Sequence, residues 1–312
     1  MTNQRLLRLG ASAASVVLTA GVMTACSSGG SSSGGNDKSG SGSVNLYGVT
    51  VSPDATLRAQ LPESYRKKGV FIYATNGLGP PRSSIDPSGK IVGAVPDILD
   101  GVAALWGLKA QGEKVDFTAE VPGVQSGRFD IAADTGDFAT RLSAVDMVDF
   151  MIAGVAFVTA AGNPKHVTGL DTSLCGLTIA VTTGTSQETE LEGVTKQCTA
   201  AGKPAVKVLS LATGSLEVPI SAGRADAAFD NTSTAAALVQ QLPDQFALGG
   251  DLIIQANLGF SVNKENKDFF NALKNATQKL VDNGAYAAIL KKWNQSKLAL
   301  TTITTNTGAK TP

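Results

Sequence analysis

The 312-residue sequence predicts an α/β protein, on two observations. Short apolar strands alternate with helical stretches, as in stacked βαβ units. Hydrophobic residues make up 43% of the chain but aromatic ones only 5%, the Ala/Gly/Val-rich balance of a soluble α/β core.

The first element is not part of the fold. Arg5 and Arg8 precede an apolar run from Ala11 to Val22, then Met23-Thr24-Ala25-Cys26. A basic stub, a short apolar segment and small residues before a cysteine form an export signal of the lipoprotein type, covering residues 1–25. The mature chain then begins at Cys26, whose thiol would carry the lipid that, with an acylated amine, anchors it stably to a membrane. The run is about a dozen residues, short of the roughly 20 that span a bilayer. Residues 26–43 are almost all Ser and Gly, a composition that cannot bury enough apolar surface to order itself and acts as a flexible tether.

The fold is expected to start near Val44. Phe71–Thr75 reads as a strand, and Pro96–Trp106 as a helix with Pro in its first turn. Phe129–Ala133 and Leu177–Val181 are further strands, the latter followed by a Gly-Thr-Ser turn into a helix over Gln187–Cys198. Val206–Ser210 and Asp226–Phe229 complete the strands of that half. Lys267–Trp293 is an amphipathic helix pair broken at Asn283-Gly284, and the Thr-rich tail 299–312 is expected to be disordered.

Charge and cysteine usage narrow the function classes. Lys+Arg and Asp+Glu both number 26 with no basic block, which argues against nucleic acid as a partner. With Cys26 assigned to lipid, Cys175 and Cys198 make an even pair, a plausible disulfide outside the cytoplasm. It would close a loop of roughly twenty residues, worth about 3 kcal/mol in the chain-entropy model. Without a CxxC, and with His166 alone of its kind beside Pro164 and Lys165, neither a metal site nor a cofactor is expected.

A series of landmarks carries a family resemblance. They are Gly89–Gly93 before the Pro96-Asp97 helix, Gly127-Arg128-Phe129-Asp130, and Arg141 followed by Val145-Asp146 and Val148-Asp149-Phe150. Leu174–Val181, Gly184–Glu188, Ser221–Phe229, Gly259–Lys264 and Asp282–Trp293 follow in order. Together they resemble the extracytoplasmic solute-binding proteins of ABC importers, in the branch that takes up polar amino acids. The resemblance implies a type II periplasmic-binding-protein-like fold of two α/β lobes joined by two hinge strands. Lobe 1 would comprise 44–157 plus 257–298, and lobe 2 158–256. It also implies a monomeric, lipid-anchored extracytoplasmic receptor that closes on a small polar solute, an amino acid or derivative, and presents it to ABC permease subunits.

The resemblance assigns binding roles residue by residue. Arg141 stands where the family places the arginine that holds the ligand α-carboxylate, a task suited to a bidentate guanidinium. Gly184-Thr185-Ser186 lies between a strand and a helix, where backbone N–H groups and hydroxyls favour an anion, and Ser186 matches a residue that donates to the same carboxylate. Ala133, Asp134 and Gly136 match positions that mostly offer backbone groups.

Three departures from the pattern matter. The family's aspartate for the ligand ammonium falls at Asn231, with Asp230 beside it. Because neighbouring side chains on a strand point apart, either Asp230 is displaced into the cleft or a neutral amide serves. Pro80-Pro81-Arg82 puts an arginine where an aromatic usually packs on the ligand, so Arg82 either pairs with an acidic group of the ligand or lies outside. Asp134 and Asp137 are unusual acids beside the carboxylate site, able to hold an ammonium. A sensory binding lipoprotein without a transporter shares all these residues. A dehydratase-like enzyme on the same fold would need a placed nucleophile or acid/base pair, which the sequence does not supply, so catalysis is not expected.

Overall fold

A computed structural model describes residues 42–211 and 216–310; the expected signal 1–25, Cys26 and the tether to residue 41 lie outside them. Eight strands form one mixed sheet: β1 (Val70–Thr75), β2 (Lys109–Lys114), β3 (Ile131–Gly136), β4 (Val145–Ala160), β5 (Thr178–Thr182), β6 (Lys207–Leu211), β7 (Ala227–Asn231) and β8 (Phe246–Asn263). Their spatial order is β6-β5-β7-β4-β8-β3-β1-β2.

Parallel pairing joins β1 to β2 and β3 on one side, and β5 to β6 and β7 on the other. Such strands are covered on both faces, which is why Phe71–Thr75 and Ile131–Ala133 read as nearly unbroken apolar or small-residue runs. The antiparallel pair β4 and β8, of 16 and 18 residues, is long enough to belong to both sides. Its register shifts between Gly249 and Ile253, where the ladder passes from one half of the sheet to the other.

Each half has its own core. The main helices are α1 (Ala94–Trp106), α2 (Phe117–Gln125), α3 (Ser186–Ala200), α4 (Thr232–Gln241), α5 (Lys267–Asp282) and α6 (Ala285–Lys292). Helices α1, α5 and α6 cover the β1 side, where Phe71 meets Trp106 and Phe269 edge to face at centroid distances of 5.6 and 6.3 Å. On the β5 side Phe157 stacks on Phe229 at 4.3 Å, with Leu191 and Val194 of α3 over one sheet face and Ala235 of α4 over the other. A disulfide joins Cys175, ahead of β5, to Cys198 on α3.

The tail departs from expectation. Over 299–310 it is not disordered: Ile303 is 2% exposed, Ala299 and Thr305 bridge to β4, and Ala309 bridges to Phe138. Its threonines and asparagine find buried acceptors far away in sequence, a source of order that composition does not reveal. Among the described residues no helix is long and apolar enough to cross a membrane.

Candidate functional site

The carboxyl ends of β3, β5 and β7 come together, the place where ligands bind in open α/β sheets. A cavity of about 600 Å³ opens there, and Arg82, Asp134, Gly136, Arg141, Thr185, Ser186, Asp230 and Asn231 all line it. The sequence reading missed Asn76, Phe117, Phe138 and Gln187, which share the wall.

Arg141 follows β3 in a short 3₁₀ turn, Arg141–Ser143. Its Nη1 donates to the Gly136 carbonyl at 2.8 Å, and its guanidinium lies 5.4 Å and 5.5 Å from the ring centroids of Phe117 and Phe138. No carboxylate among the described residues lies within salt-bridge distance of it. A partly buried guanidinium held on aromatic faces, with donors left over, is an anion site. Burial pulls its pKa down, and Glu120 opposes that shift.

Thr185 precedes α3 and Ser186 opens it, so the free N–H groups of the first turn face the same cavity. Gly184 makes the preceding turn at φ +79°, and a Cβ there would meet Thr118 Cγ2 of α2 at 2.7 Å. Glycine thus provides both the turn and the close approach.

Arg82 lies inside the cavity wall, 6% exposed. The N-terminus of α1 fixes its backbone: Ala94 N–H donates to the Pro81 carbonyl and Val95 N–H to that of Arg82, at 3.1 and 3.0 Å. Gly93, at φ +140°, permits this approach, since a Cβ would stand 2.1 Å from the Arg82 oxygen. The Arg82 Nη1 reaches Asp134 Oδ1 at 3.2 Å, so the unexpected arginine and the unexpected acid pair with each other. Burial still raises the Asp134 pKa, against the pull of Arg82.

Asp230 and Asn231 both line the cavity, and the strict alternation expected of them does not hold. They end β7 just where the chain turns into α4, so the pleat no longer separates their side chains. Asp230 Oδ1 accepts the Asn231 N–H at 2.7 Å and, among the described residues, no cation pairs with it. Burial pushes its carboxyl up to about 6, opposed by the Asn231 amide and Arg82.

Asp137 is a second correction. It is fully buried and faces the tail, accepting from Thr307, rather than lining the cavity. Strand β3 carries Asp134 and Gly136 to the cavity while the next residue lies behind it. Glu120 on α2, also fully buried, lies near enough to Arg141, Arg82 and Asp134 to feel their charges. Burial first, then Asp134, raises its pKa well above the usual range, against the pull of Arg141 and Arg82. The signal in sequence was a lone acid within the apolar Phe117–Val124 stretch.

The cavity therefore offers one arginine–aspartate ion pair, together with a cation, Arg141, and an acid, Asp230, that have no salt-bridge partner among the described residues. A second cavity of about 720 Å³ shares Arg82, Asp230 and Asn231 and reaches Glu217 and Gln241.

Residues 71–296 match the sequence profile of the bacterial extracellular solute-binding proteins, family 3. The arginine-binding protein ArgT of Corynebacterium glutamicum is 30% identical over 248 residues, 78% of this chain and 81% of that protein. An ancestral arginine-binding protein solved with arginine has a TM-score of 0.65 and 28% identity, covering 72% of this chain and 98% of that one. The structure of an ancestral arginine-binding protein bound to glutamine gives 0.64 and 27%, covering 73% and 98%.

Proposed function

The chain belongs to the bacterial extracellular solute-binding proteins of family 3, and from that premise we propose that it captures an α-amino acid in the cavity bounded by Arg141, Ser186 and Asp230. Arg141 takes the ligand carboxylate, with Ser186 and the first N–H groups of α3 donating from the other half of the sheet. Asp230 takes the ammonium, and Asn231 and Thr185 supply neutral hydrogen bonds. The observation that carries this reading is the coexistence in one cavity of a guanidinium and a carboxylate that, among the described residues, have no salt-bridge partner. A zwitterion satisfies both, whereas a ligand of single charge leaves the other buried and unpaired.

Relatives named for arginine make L-arginine the first ligand to test. The Glu217 carboxylate in the adjoining cavity is a partner for a cationic side chain that extends past Arg82. Hinged closure of the two halves about β4 and β8 would bury the ligand and change the outer surface. An ABC permease would read that change, with the receptor tethered through lipid on Cys26.

Isothermal titration of L-arginine into the wild type and Arg141→Ala tests the clamp. The variant is expected to lose about 2–5 kcal/mol of binding free energy. Equal affinities would rule out Arg141 as the carboxylate partner.

A further inference from the structure

We propose that the tail segment 299–310 is a strap that positions Arg141, so that the binding guanidinium is aimed by residues some 160 positions away in sequence as well as by its own turn. The inference rests on Arg141 being the ligand-carboxylate residue.

The turn between β3 and Arg141 has few bonds of its own: Phe138 N–H to the Gly136 carbonyl at 3.0 Å, and Arg141 N–H to that of Phe138 at 2.9 Å. Strand β8 adds one, Asp137 N–H to the Asn257 carbonyl at 2.8 Å, and the tail adds several more. Ala139 N–H donates to the Ala309 carbonyl and Ala309 N–H to the Asp137 carbonyl, both at 3.0 Å. The Thr307 N–H and hydroxyl both donate to Asp137 Oδ2, at 2.6 and 2.8 Å. Gly308 packs beside Leu142 and Ala139. Asp137 adjoins Gly136, whose carbonyl accepts Arg141 Nη1, so fixing Asp137 fixes the acceptor that aims the guanidinium.

The strap is itself anchored to β4. Asp149 N–H donates to the Thr304 carbonyl at 2.9 Å, Asn306 N–H to that of Met147 at 3.1 Å, and Met147 N–H to Asn306 Oδ1 at 2.7 Å. The Thr304 hydroxyl donates to Asp149 Oδ2 at 2.7 Å. Thr307 Oγ1 also lies 3.2 Å from Asp149 Oδ2. Burial raises the Asp149 carboxyl to about 6, opposed by the Thr304 hydroxyl and aided by the neighbouring Asp137. Thr307 is thus the point where strap, β4 and the Arg141 turn meet.

The test compares Thr307→Val and Thr307→Ser in the full chain, reading amide hydrogen exchange and L-arginine titration at a temperature where each variant is folded. Exchange at Ala139 and Arg141 reports loosening of the turn without any ligand. Thr307→Val is expected to speed it and to weaken L-arginine binding roughly tenfold, the scale of a lost hydrogen bond to a charged group, while Thr307→Ser restores both. Wild-type exchange at Ala139 and Ala309 in step, if Thr307→Val does not fold, supports the strap; independent exchange there contradicts it. Unchanged exchange in Thr307→Val overturns the proposal, and so does faster exchange with unchanged affinity. A wild type that binds no L-arginine counts against arginine as the ligand, while the exchange data still decide whether the strap holds the turn.

Discussion

Asp230 sets the pH response of the site. Its carboxyl titrates near 6, so at neutral pH it is ionised and able to receive an ammonium. A bound ammonium favours the ionised form, which means that binding in acid must displace a proton. Affinity for an α-amino acid is therefore expected to fall as pH drops below about 6, and Asp230→Asn should bind weakly and lose that slope. Titrations between neutral and mildly acid pH check this; a flat wild-type profile would assign the ammonium elsewhere. Arg141 and Ser186 could be singled out because each belongs to a local motif, whereas the motif for the ammonium partner fell on Asn231 and left Asp230 beside it as an open alternative. The Arg82–Asp134 pair was not legible, because it joins two departures distant in sequence, each ambiguous alone. Glu120 is a lone acid in an apolar helical stretch, but its burial depends on packing from distant parts of the chain, which the local pattern does not show.

At the scale of elements, α3 does two jobs. Its N-terminus faces the cavity, and its far end carries Cys198, bonded to Cys175 ahead of β5. The crosslink closes a loop worth about 3 kcal/mol in the chain-entropy model. Reduction is expected to lower the melting temperature without abolishing ligand binding, since neither cysteine lines the cavity. Melting curves with and without reductant measure it, and identical midpoints would remove the disulfide from the stability account. The helices and parallel strands could be read from sequence because their apolar patterns are local. The strap could not, since its order comes from Thr304, Asn306 and Thr307 donating to Asp149, Asp146 and Asp137, with only Ile303 buried as an apolar anchor. Threonine-rich composition looks the same whether or not such acceptors exist.

For the whole molecule, the decisive feature is that residues at the ends of β3, β5 and β7 and in the turns after them line one cavity. The family resemblance implied a ligand cleft between two lobes, which is the reading proposed for this cavity. What it left open was the charge pattern, because pairing depends on which side chains share the cavity. Once Arg82 and Asp134 pair, this cavity keeps one cation, Arg141, and one anion, Asp230, without a salt-bridge partner among the described residues. The central claim is that the cavity takes a zwitterion. The most direct test is isothermal titration of the wild type with the L-amino acids, L-arginine first, each alongside its analogue lacking the α-ammonium group. The account predicts saturable binding of at least one L-amino acid and a large loss for its des-amino analogue. Binding of a des-amino carboxylate as tightly as its parent amino acid, or of no amino acid at all, would contradict it.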